Sequence, residues 1–378
     1  MVRDPDLVMP GEGGGEGTEA ASPRDESGVL LVWPRTGSPY LMRTNVLARR
    51  LSRLRRMLDF PKQVDRVELW YTRARIEQAL IYFQLAKAHF PENYHKMVRL
   101  PSAPYLKLLL KLRFPRTELS SRLSGKENLI LGPFRNRAEA ERFESEMLDF
   151  FQLRRCSEDL EPHAEHPGCI YGEMGQCLRP CQDIVGEAEY ATEAAKAKAF
   201  LASRGESLRE AIGHARDRAS ANLEFEEAAR QHKRLDRVEA LWRGASEITG
   251  EVGQANGVTA VRREAGVDLY FLLDGVWREP VEFRLHTQAG ESQAGESMDR
   301  RLRQLVEELP TRETSAKDRE EHLALLHRWY FSSWRDTEWL PFPAREEIPY
   351  RKLVRMISRA ASGKMESNDP KVVAGPAD

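Results

Sequence analysis

Residues 153–190 read LRRCSEDLEPHAEHPGCIYGEMGQCLRPCQDIVGEAEY, and this stretch contains all the cysteines of the 378-residue chain. Twelve, seven and three residues separate Cys156, Cys169, Cys177 and Cys181. Four thiolates on a loop-rich stretch can hold a tetrahedral zinc ion or an iron–sulfur cluster, because both need four soft anionic ligands. Structural zinc favours two tight cysteine pairs, and only Cys177 and Cys181 fit that rule. The wider gaps therefore favour a cluster, with zinc as the alternative.

Other uses of this cysteine window remain open. His163 and His166 could replace cysteines as zinc ligands, although polar loop histidines are more often simply exposed. The cysteines could also be free thiols or two disulfides. Four cysteines in so long a chain do not form a general disulfide framework, and disulfides are rare in cytoplasmic proteins. Metal ligation is the interpretation we favour.

The composition indicates a globular protein with enough chain for about two domains. Lysine and arginine number 58 against 59 acidic residues, and 41% of the residues are hydrophobic, which argues against wholesale disorder. The apolar runs fall far short of the roughly 18 residues that a membrane span requires. The N-terminus has acidic residues and glycines where a signal peptide would need a basic start and an apolar stretch. We therefore expect a cytoplasmic protein without a membrane segment.

The pattern along the chain predicts mixed helices and strands, an α/β or, more specifically, α+β fold. Strands are predicted at 28–32 (GVLLV) and around Tyr40, and a basic helix follows whose leucines recur every three or four residues from 47 to 58. After the cysteines, breaks near Gly205 and Asn222 predict three helices, the last two forming an antiparallel hairpin. Beyond residue 257, three strands are predicted, with a hairpin turn at Asp274-Gly275.

These patterns divide the chain into six units. They are a disordered tail at 1–26, an α/β domain at 27–152, a four-cysteine module at 153–186, a helical region at 187–246, a small α+β region at 250–345, and a C-terminal helix with a disordered tail at 346–378.

The cysteine window resembles that of UvrC, the nuclease subunit of bacterial nucleotide excision repair. The family pattern is close to LRTC, a loop, then RPCLxYxIGxCxAPC and a glutamate-tyrosine pair. The matching residues are Cys156, Cys169, Gly175, Cys177, Pro180, Cys181 and Tyr190. In that family the four cysteines are ascribed to a [4Fe-4S] cluster, so the resemblance implies the same ligands here.

Residues 223–241, LEFEEAARQHKRLDRVEAL, are similar to the UVR motif of UvrC and of the C-terminus of UvrB. By pattern alone an ordinary amphipathic helix is the alternative, but the family carries the motif at this place, after the cysteines. The resemblance implies docking on a similar hairpin of UvrB, with His232 and Lys233 replacing the usual Arg-Asp. The predicted partner-binding residues are Phe225, Glu226, Ala228, Ala229 and Arg230.

Residues 28–136 resemble the GIY-YIG endonuclease domain of UvrC, and the departures fall on the chemistry. Leu30 replaces the first tyrosine, Met42 the second glycine, and Tyr82 the glutamate that holds a divalent metal. Tyr40 and Arg50 remain as remnants, and Glu77, one turn away, could substitute as a metal ligand. Hard cations need oxygen donors, so the resemblance implies a degenerate GIY-YIG-like domain at 27–152 without an intact catalytic site.

The back end resembles only the opening of the second half of UvrC. VTAVRREAGVDLYFLLDGVWREPVEF at 258–283 is similar to its first strands, and HRWYFSSWRDTEWLPFP at 327–343 to an aromatic segment. We expect neither the RNase H-like nuclease nor the helix-hairpin-helix units of that family in this chain.

The stretch from Arg43 to Arg66 is strongly basic in a chain that is near neutral overall. Such a surface can hold a phosphate backbone without sequence preference, and a solvated helix face is an equal alternative. The predicted DNA-binding residues are Arg43, Arg49, Arg50, Arg53 and Arg56.

We therefore expect a UvrC-like repair protein that binds DNA, UvrB or both without cutting. One alternative is an active incision nuclease, and a second is a metal-binding stress-response adaptor with a UVR motif. The oligomeric state is not predicted.

Overall fold

The computed structural model describes residues 3–10, 23–57, 60–125, 128–285, 297–310 and 314–363. Within these ranges three small sheets form, each made of antiparallel strands and covered by helices. The predicted α+β class is confirmed. No helix in the described ranges is long and apolar enough to cross a membrane.

The first sheet has the strand order β1-β4-β2-β3 and lies between two layers of helices. Its strands are β1 (Leu7–Pro10), β2 (Ser27–Pro34), β3 (Tyr40–Thr44) and β4 (Val64–Thr72), and its helices are α1 (Leu47–Met57), α2 (Phe60–Gln63), α3 (Arg75–His89) and α4 (Tyr94–Val98). Successive side chains of a strand point to opposite faces. Leu30 therefore packs with Leu47 of α1, whereas Val29 and Leu31 face the core that contains α3.

Residues 3–10 depart from the predicted disordered tail at 1–26. Strand β1 pairs with β4, placing Leu7 opposite Leu69, and Met9 is buried in the core beside α1. The indole Nε1 of Trp70 also donates to the carbonyl of Arg3 at 2.8 Å. One buried apolar side chain and a ladder of backbone hydrogen bonds therefore anchor this segment. Residues 11–22 lie outside the described residues.

The second sheet has the order β6-β5-β7-β8. Its strands are β5 (Tyr105–Leu109), β6 (Arg116–Ser120), β7 (Leu129–Gly132) and β8 (Gly250–Glu251), and the helices between β7 and β8 are α5 (Arg137–Leu148), α6 (Ile170–Glu173), α7 (Glu187–Ala202), α8 (Glu206–Ala221) and α9 (Phe225–Gly244). Tyr190 and Phe200 of α7 pack against α5 and this sheet in one core. The predicted domain at 27–152 thus spans two sheets, and the division falls between α4 and β5.

Helices α8 and α9 form the predicted antiparallel hairpin. They pack along each other, and Leu223, between them, adopts a left-handed conformation with φ of 61°. The backbone N–H groups of Leu223 and Glu224 donate to the carbonyls of Ser220 and Ala219 and close the turn. The breaks predicted near Gly205 and Asn222 are confirmed.

The third sheet has the order β11-β10-β9-β13, with β12 also paired to β10. Its strands are β9 (Gly257–Arg262), β10 (Gly266–Leu273), β11 (Val276–Trp277), β12 (Val281–Arg284) and β13 (Leu340–Pro341), and its helices are α10 (Met298–Glu307), α11 (Ala316–Tyr330) and α12 (Tyr350–Ser362). Asp274 and Gly275 both have positive φ, as the predicted two-residue hairpin requires.

Two helices of this last region pack across the predicted boundaries. Leu353 and Ile357 of α12 are buried against β9 and β10, so the unit predicted to end at 345 includes this helix. Leu325 and Trp329 of α11 share a core with α3, so the third sheet packs on the first. The disordered tail predicted after residue 362 lies outside the described residues from 364 onward.

Candidate metal centre and nucleic-acid interface

The four cysteines lie on connected loops between α5 and α7. Cys169 immediately precedes α6. Cys177 lies just before a single helical turn at Pro180–Gln182, and Cys181 lies within that turn. Cys177 and Cys181 are buried, Cys156 is half-buried and Cys169 is exposed. All four are free thiols, so the disulfide interpretation finds no support.

The thiols lie within electrostatic reach of one another. Burial, with a smaller contribution from the other three cysteines, raises the pKa of Cys177 to about 11. Burial also raises the pKa of Cys181, where Cys156 and Cys169 add to the effect. A cation placed among these sulfurs would relieve both the desolvation and the repulsion of their thiolates.

Four cysteine thiols are the donor set of an iron–sulfur cluster and also of a structural zinc ion. Among the described residues, no three side chains of His, Cys, Asp or Glu lie close enough together to hold one metal ion. A four-iron cluster is a larger body that contacts its four cysteine sulfurs at separate corners. The backbone N–H of Arg179 also donates to Cys177 Sγ at 3.4 Å, a type of contact that tunes iron–sulfur sites. Four cysteine sulfurs are the ligand set that a [4Fe-4S] cluster uses.

His163 and His166 close turns in the same loops. The Nδ1 atom of His163 accepts the backbone N–H of Glu165 at 3.2 Å, and Nδ1 of His166 accepts that of Gly168 at 3.0 Å. One ring nitrogen of each histidine is therefore used within its own loop.

Tyr190 ties α7 to the start of the cysteine loops. Its side chain is fully buried, and burial raises the pKa of its phenol. The hydroxyl accepts the backbone N–H of Arg154 at 2.8 Å and donates to the carbonyl of Pro115 at 2.9 Å. The tyrosine that follows the cysteines in sequence thus positions the residue two before Cys156. Sequence reasoning missed Arg154, although it lies within the quoted LRRC.

Two of the front-domain positions that the GIY-YIG resemblance assigns to catalysis, Leu30 and Met42, form an apolar pair. Leu30 and Met42 are paired across β2 and β3, and Leu30 is fully buried. Arg50 of α1 donates through Nη2 to Met42 Sδ at 3.2 Å. Tyr40, on the same face of β3 as Met42, is 59% exposed.

Tyr82, at the position assigned to the metal-binding glutamate, lies on the opposite side of the sheet. It packs against the core that includes Leu41 and α3, and Arg43 stacks on its ring at 5.3 Å from the centroid. Leu30, by contrast, faces α1. The sequence alignment assigns Tyr82 and Leu30 to one catalytic site, but the two residues lie on opposite faces of the sheet.

Glu77 is not available as a metal ligand. Its carboxylate is fully buried and forms an ion pair with Arg263 of the segment joining β9 to β10. It also accepts the backbone N–H of Arg73 at 2.8 Å and approaches Arg3 Nη1 at 3.4 Å. The suggestion that Glu77 substitutes for the missing glutamate is corrected: this side chain joins the first and third sheets.

The five predicted DNA-binding arginines divide between two faces. Arg49, Arg53 and Arg56 are exposed on α1, and within the described part of the chain none of them forms an ion pair. Arg50 is half-buried against Met42. Arg43 lies on the other face of the sheet, against Tyr82. Of the five predicted residues, Arg49, Arg53 and Arg56 are therefore the ones that α1 exposes.

The tip of the α8–α9 hairpin presents two large apolar side chains. Phe225 is 67% exposed, and Leu223, which sequence reasoning did not include, is 71% exposed. Glu226, Ala229 and Arg230 are also exposed, and Ala228 is half-buried. An apolar residue at a helix-to-helix turn was the available signal for Leu223.

Comparisons with known proteins identify the region around the cysteines. Residues 103–200 match the protein family described as UvrC/Cho excinuclease, middle domain. This part of the chain belongs to the UvrC family. The match begins just before β5 and ends within α7, so it agrees with the second sheet as a separate unit and includes all four cysteines.

Curated relatives match a longer part of the chain. They include the UvrABC system protein C of Xanthomonas euvesicatoria pv. vesicatoria (strain 85-10), Xanthomonas oryzae pv. oryzae (strain PXO99A) and Xanthomonas campestris pv. campestris (strain B100). Each is 30% identical over 186 residues, which is 49% of this chain and 30% of the relative. The chain thus covers about three tenths of the length of these relatives. No solved structure matches it significantly.

Proposed function

We propose that this UvrC-family chain acts in bacterial nucleotide excision repair, in the cytoplasm, as a protein that carries a [4Fe-4S] cluster, binds DNA and UvrB, and does not cut DNA itself. The observation that carries the proposal is the gathering of four free cysteines inside the segment that matches the UvrC/Cho middle domain. The relatives are named as component C of the UvrABC system, which supports the process.

The cluster would be held by Cys156, Cys169, Cys177 and Cys181. Cys177 and Cys181 are buried, and burial together with the neighbouring cysteines raises the pKa of both, so thiolates there need a compensating cation. When bound, the cluster supplies a centre that can exchange an electron. The loops contribute the buried sulfurs and the N–H of Arg179, while Tyr190 fixes the point from which they leave the second sheet.

The exposed arginines of α1 support a DNA-binding role. Arg49, Arg53 and Arg56 recur at intervals of three or four residues, so they share one face of the helix. The helix carries no acidic residue, and Leu47 and Leu51 bury its other face in the sheet. A row of exposed guanidinium groups on one helix can contact the phosphates of a duplex. Such contacts do not depend on the base sequence.

Replacing Arg49, Arg53 and Arg56 together by glutamine is expected to weaken binding to duplex DNA of any sequence. The slope of log K against log salt is negative, and each lost phosphate contact reduces its magnitude by about 0.9. The slope of the triple variant is therefore expected to be less negative by about 3. Fluorescence anisotropy of a labelled duplex across a salt series measures this change.

The matched control replaces Arg137, Arg209 and Arg303 by glutamine. Each of these arginines forms an ion pair with a carboxylate on its own helix. The control removes the same charge and is expected to leave the slope close to that of the wild type. Equal losses in both triple variants would mean that net charge, not α1, governs binding.

The front domain supports binding without cutting. The positions that the resemblance assigns to catalysis hold Leu30, Met42 and Tyr82, which offer no carboxylate for a hard cation. Glu77, the nearest acid on α3, is engaged by Arg263. Tyr40 and Arg50 remain, but a phenol and a guanidinium without a metal lack the charge stabilisation that phosphodiester hydrolysis needs.

The hairpin tip supports UvrB as the partner. Leu223 and Phe225 are exposed apolar side chains at the end of two packed helices, and Glu226, Glu227 and Arg230 surround them. Apolar anchors rimmed by charges are the usual composition of a protein–protein contact. The UVR resemblance of this helix selects a similar hairpin of UvrB among possible partners.

The proposed function is tested by incubating the anaerobically purified chain with UvrB, a lesion-bearing duplex and Mg²⁺ or Mn²⁺. We expect a complex with UvrB that forms without a nick in either strand. Phe225→Ala is expected to weaken this complex at least ten-fold, because an apolar anchor of this size contributes about 2 kcal/mol or more. Gel-filtration analysis and denaturing gels measure the two outcomes.

Leu112→Ala is the matched control, because Leu112 is also exposed but lies in the loop between β5 and β6, far along the chain from the hairpin. Lesion-dependent nicking that is lost in Arg50→Ala would establish an active nuclease and refute the non-cutting proposal. A protein with zinc and no visible absorption, binding no DNA, would favour the stress-response adaptor.

A further inference from the structure

Arg154 is a buried cation at the root of the cysteine loops. The residue is only 4% exposed. Its backbone N–H donates to the hydroxyl of Tyr190 at 2.8 Å, and its Nε donates to the carbonyl of Phe114 at 3.1 Å. These two contacts hold the backbone and one edge of the guanidinium against the second sheet. The other edge is thereby directed at the loop that carries the first cysteine.

That edge contacts the cysteine loop twice. Arg154 Nη1 donates to the carbonyl of Glu158 at 2.6 Å and to Cys156 Sγ at 3.8 Å. The guanidinium is planar and its donors have a fixed geometry, so anchoring Nε also fixes the direction of Nη1. Arg154 therefore sets where the loop turns after Cys156 and where the sulfur of Cys156 lies.

The charge of Arg154 is not balanced by a carboxylate. Among the residues that the structure describes, none forms an ion pair with it, although a guanidinium stays protonated in proteins. Burying a cation without an anion is costly, so such groups are normally paired. The guanidinium does contact the sulfur of Cys156, which becomes an anionic thiolate when it binds a metal. Cys156 is one of the proposed cluster ligands.

We propose that Arg154 is a positioning residue for the iron–sulfur cluster, which orients Cys156 and donates a charged hydrogen bond to its sulfur. The inference rests on the proposed function, because it needs the cluster. Cysteine thiolates give a [4Fe-4S] cluster a net negative charge, and reduction by one electron makes it more negative. A cation and an N–H donor at a ligand sulfur stabilise the reduced form and raise the reduction potential.

The neighbouring Arg155 provides a matched comparison. Its guanidinium pairs with Asp149 at 2.8 Å and stacks on Tyr171 at 5.0 Å, and it contacts no sulfur. Its charge is therefore balanced locally. The two adjacent arginines differ in the feature that the proposal uses, since Arg154 alone of the pair contacts a cysteine.

The test compares Arg154→Met, Arg154→Lys and Arg155→Met in the full chain, purified without oxygen. Iron per chain, the rate of iron loss in air, and the one-electron reduction potential are measured, the electron being supplied by an electrode through a soluble mediator. Arg154→Met is expected to have a more negative potential and to lose iron several-fold faster. Arg154→Lys, which keeps the charge without the planar fork, is expected to lie between it and the wild type. Arg155→Met is expected to match the wild type.

Each outcome decides the proposal. A cluster-loaded Arg154→Met protein with the wild-type potential would show that Arg154 only supports the fold, and would overturn the inference. If Arg154→Met does not load, Arg154→Lys decides: an unchanged potential and iron-loss rate overturn the proposal, and a lowered potential supports it. If neither variant loads, thermal unfolding of the metal-free proteins decides. Wild-type melting supports a ligand-positioning role, and early melting overturns it in favour of a structural one. Wild-type protein without iron would refute the cluster itself, a result that needs no variant.

Discussion

Replacing Cys177 by alanine is expected to leave a protein that holds little or no iron. The sulfur of Cys177 is buried and accepts a backbone N–H from Arg179. A cluster with three protein ligands exposes one iron corner, so iron and sulfide per chain are expected to fall from about four of each to near zero after aerobic handling. Metal and sulfide analysis, together with visible absorption, measures the loss.

The control for this experiment lies in the same loops. Met174 is 62% exposed, between Cys169 and Cys177, and Met174→Ala is expected to keep the iron content of the wild type. The fold of the second sheet is expected to survive in both variants, because its core of Phe143, Tyr190 and Phe200 does not include the cysteines. One zinc ion per wild-type chain, lost in Cys177→Ala, would replace the cluster by a zinc site.

The sequence predicted the local features of this molecule well. The helix pair with its break at Asn222 and the turn at Asp274-Gly275 depend on neighbours in sequence, and each is found where its pattern placed it. Thiol spacing, glycine and periodic leucines are signals that short segments carry without tertiary context.

The sequence could not predict features that depend on strand register. Arg43 and Arg50 belong to one basic stretch, yet β3 turns Arg43 to the α3 side while α1 covers the other face. Tyr82 was assigned by counting back from Pro91, and counting along a helix does not show which face of the sheet the helix covers. A register shift of one residue reverses the face that a side chain occupies, so one-dimensional alignment cannot separate these sets.

Contacts between distant segments were also beyond the sequence. Strand β1 pairs with β4 some sixty residues later, and a four-residue apolar run gave no signal of this partner. Likewise, Lys87 and Tyr94 of the front domain both contact Glu321 of α11. Such pairs join separate units and explain why the predicted boundaries at 152 and 345 do not coincide with the sheets.

The ion pair between the buried carboxylate of Glu77 and Arg263 is another of these long-range contacts. Arg263 donates to it from 186 residues away, and Arg263 also pairs with Asp268 at 2.6 Å. The side chain of Glu77 is fully buried and that of Arg263 is 19% exposed, so water screens the pair little. Two interpretations of Glu77 therefore make opposite predictions. A metal ligand would affect catalysis, whereas an ion pair between two sheets would affect folding.

Glu77→Gln is accordingly expected to destabilise the protein by roughly 3–5 kcal/mol, because it leaves Arg263 buried with one of its two carboxylate partners removed. Urea unfolding followed by tryptophan fluorescence measures the change. Glu264→Gln is the matched control, since Glu264 is 80% exposed and pairs with Arg73 at 3.0 Å, an ion pair of the surface kind that contributes less than about 1 kcal/mol. If Glu77→Gln unfolded like the wild type but abolished metal-dependent nicking, Glu77 would be a catalytic ligand and the front domain an active nuclease. If both variants lost the same small amount, the buried pair would contribute no more than its exposed neighbour. A large loss confined to Glu77→Gln identifies this acid as the joint between the first and third sheets.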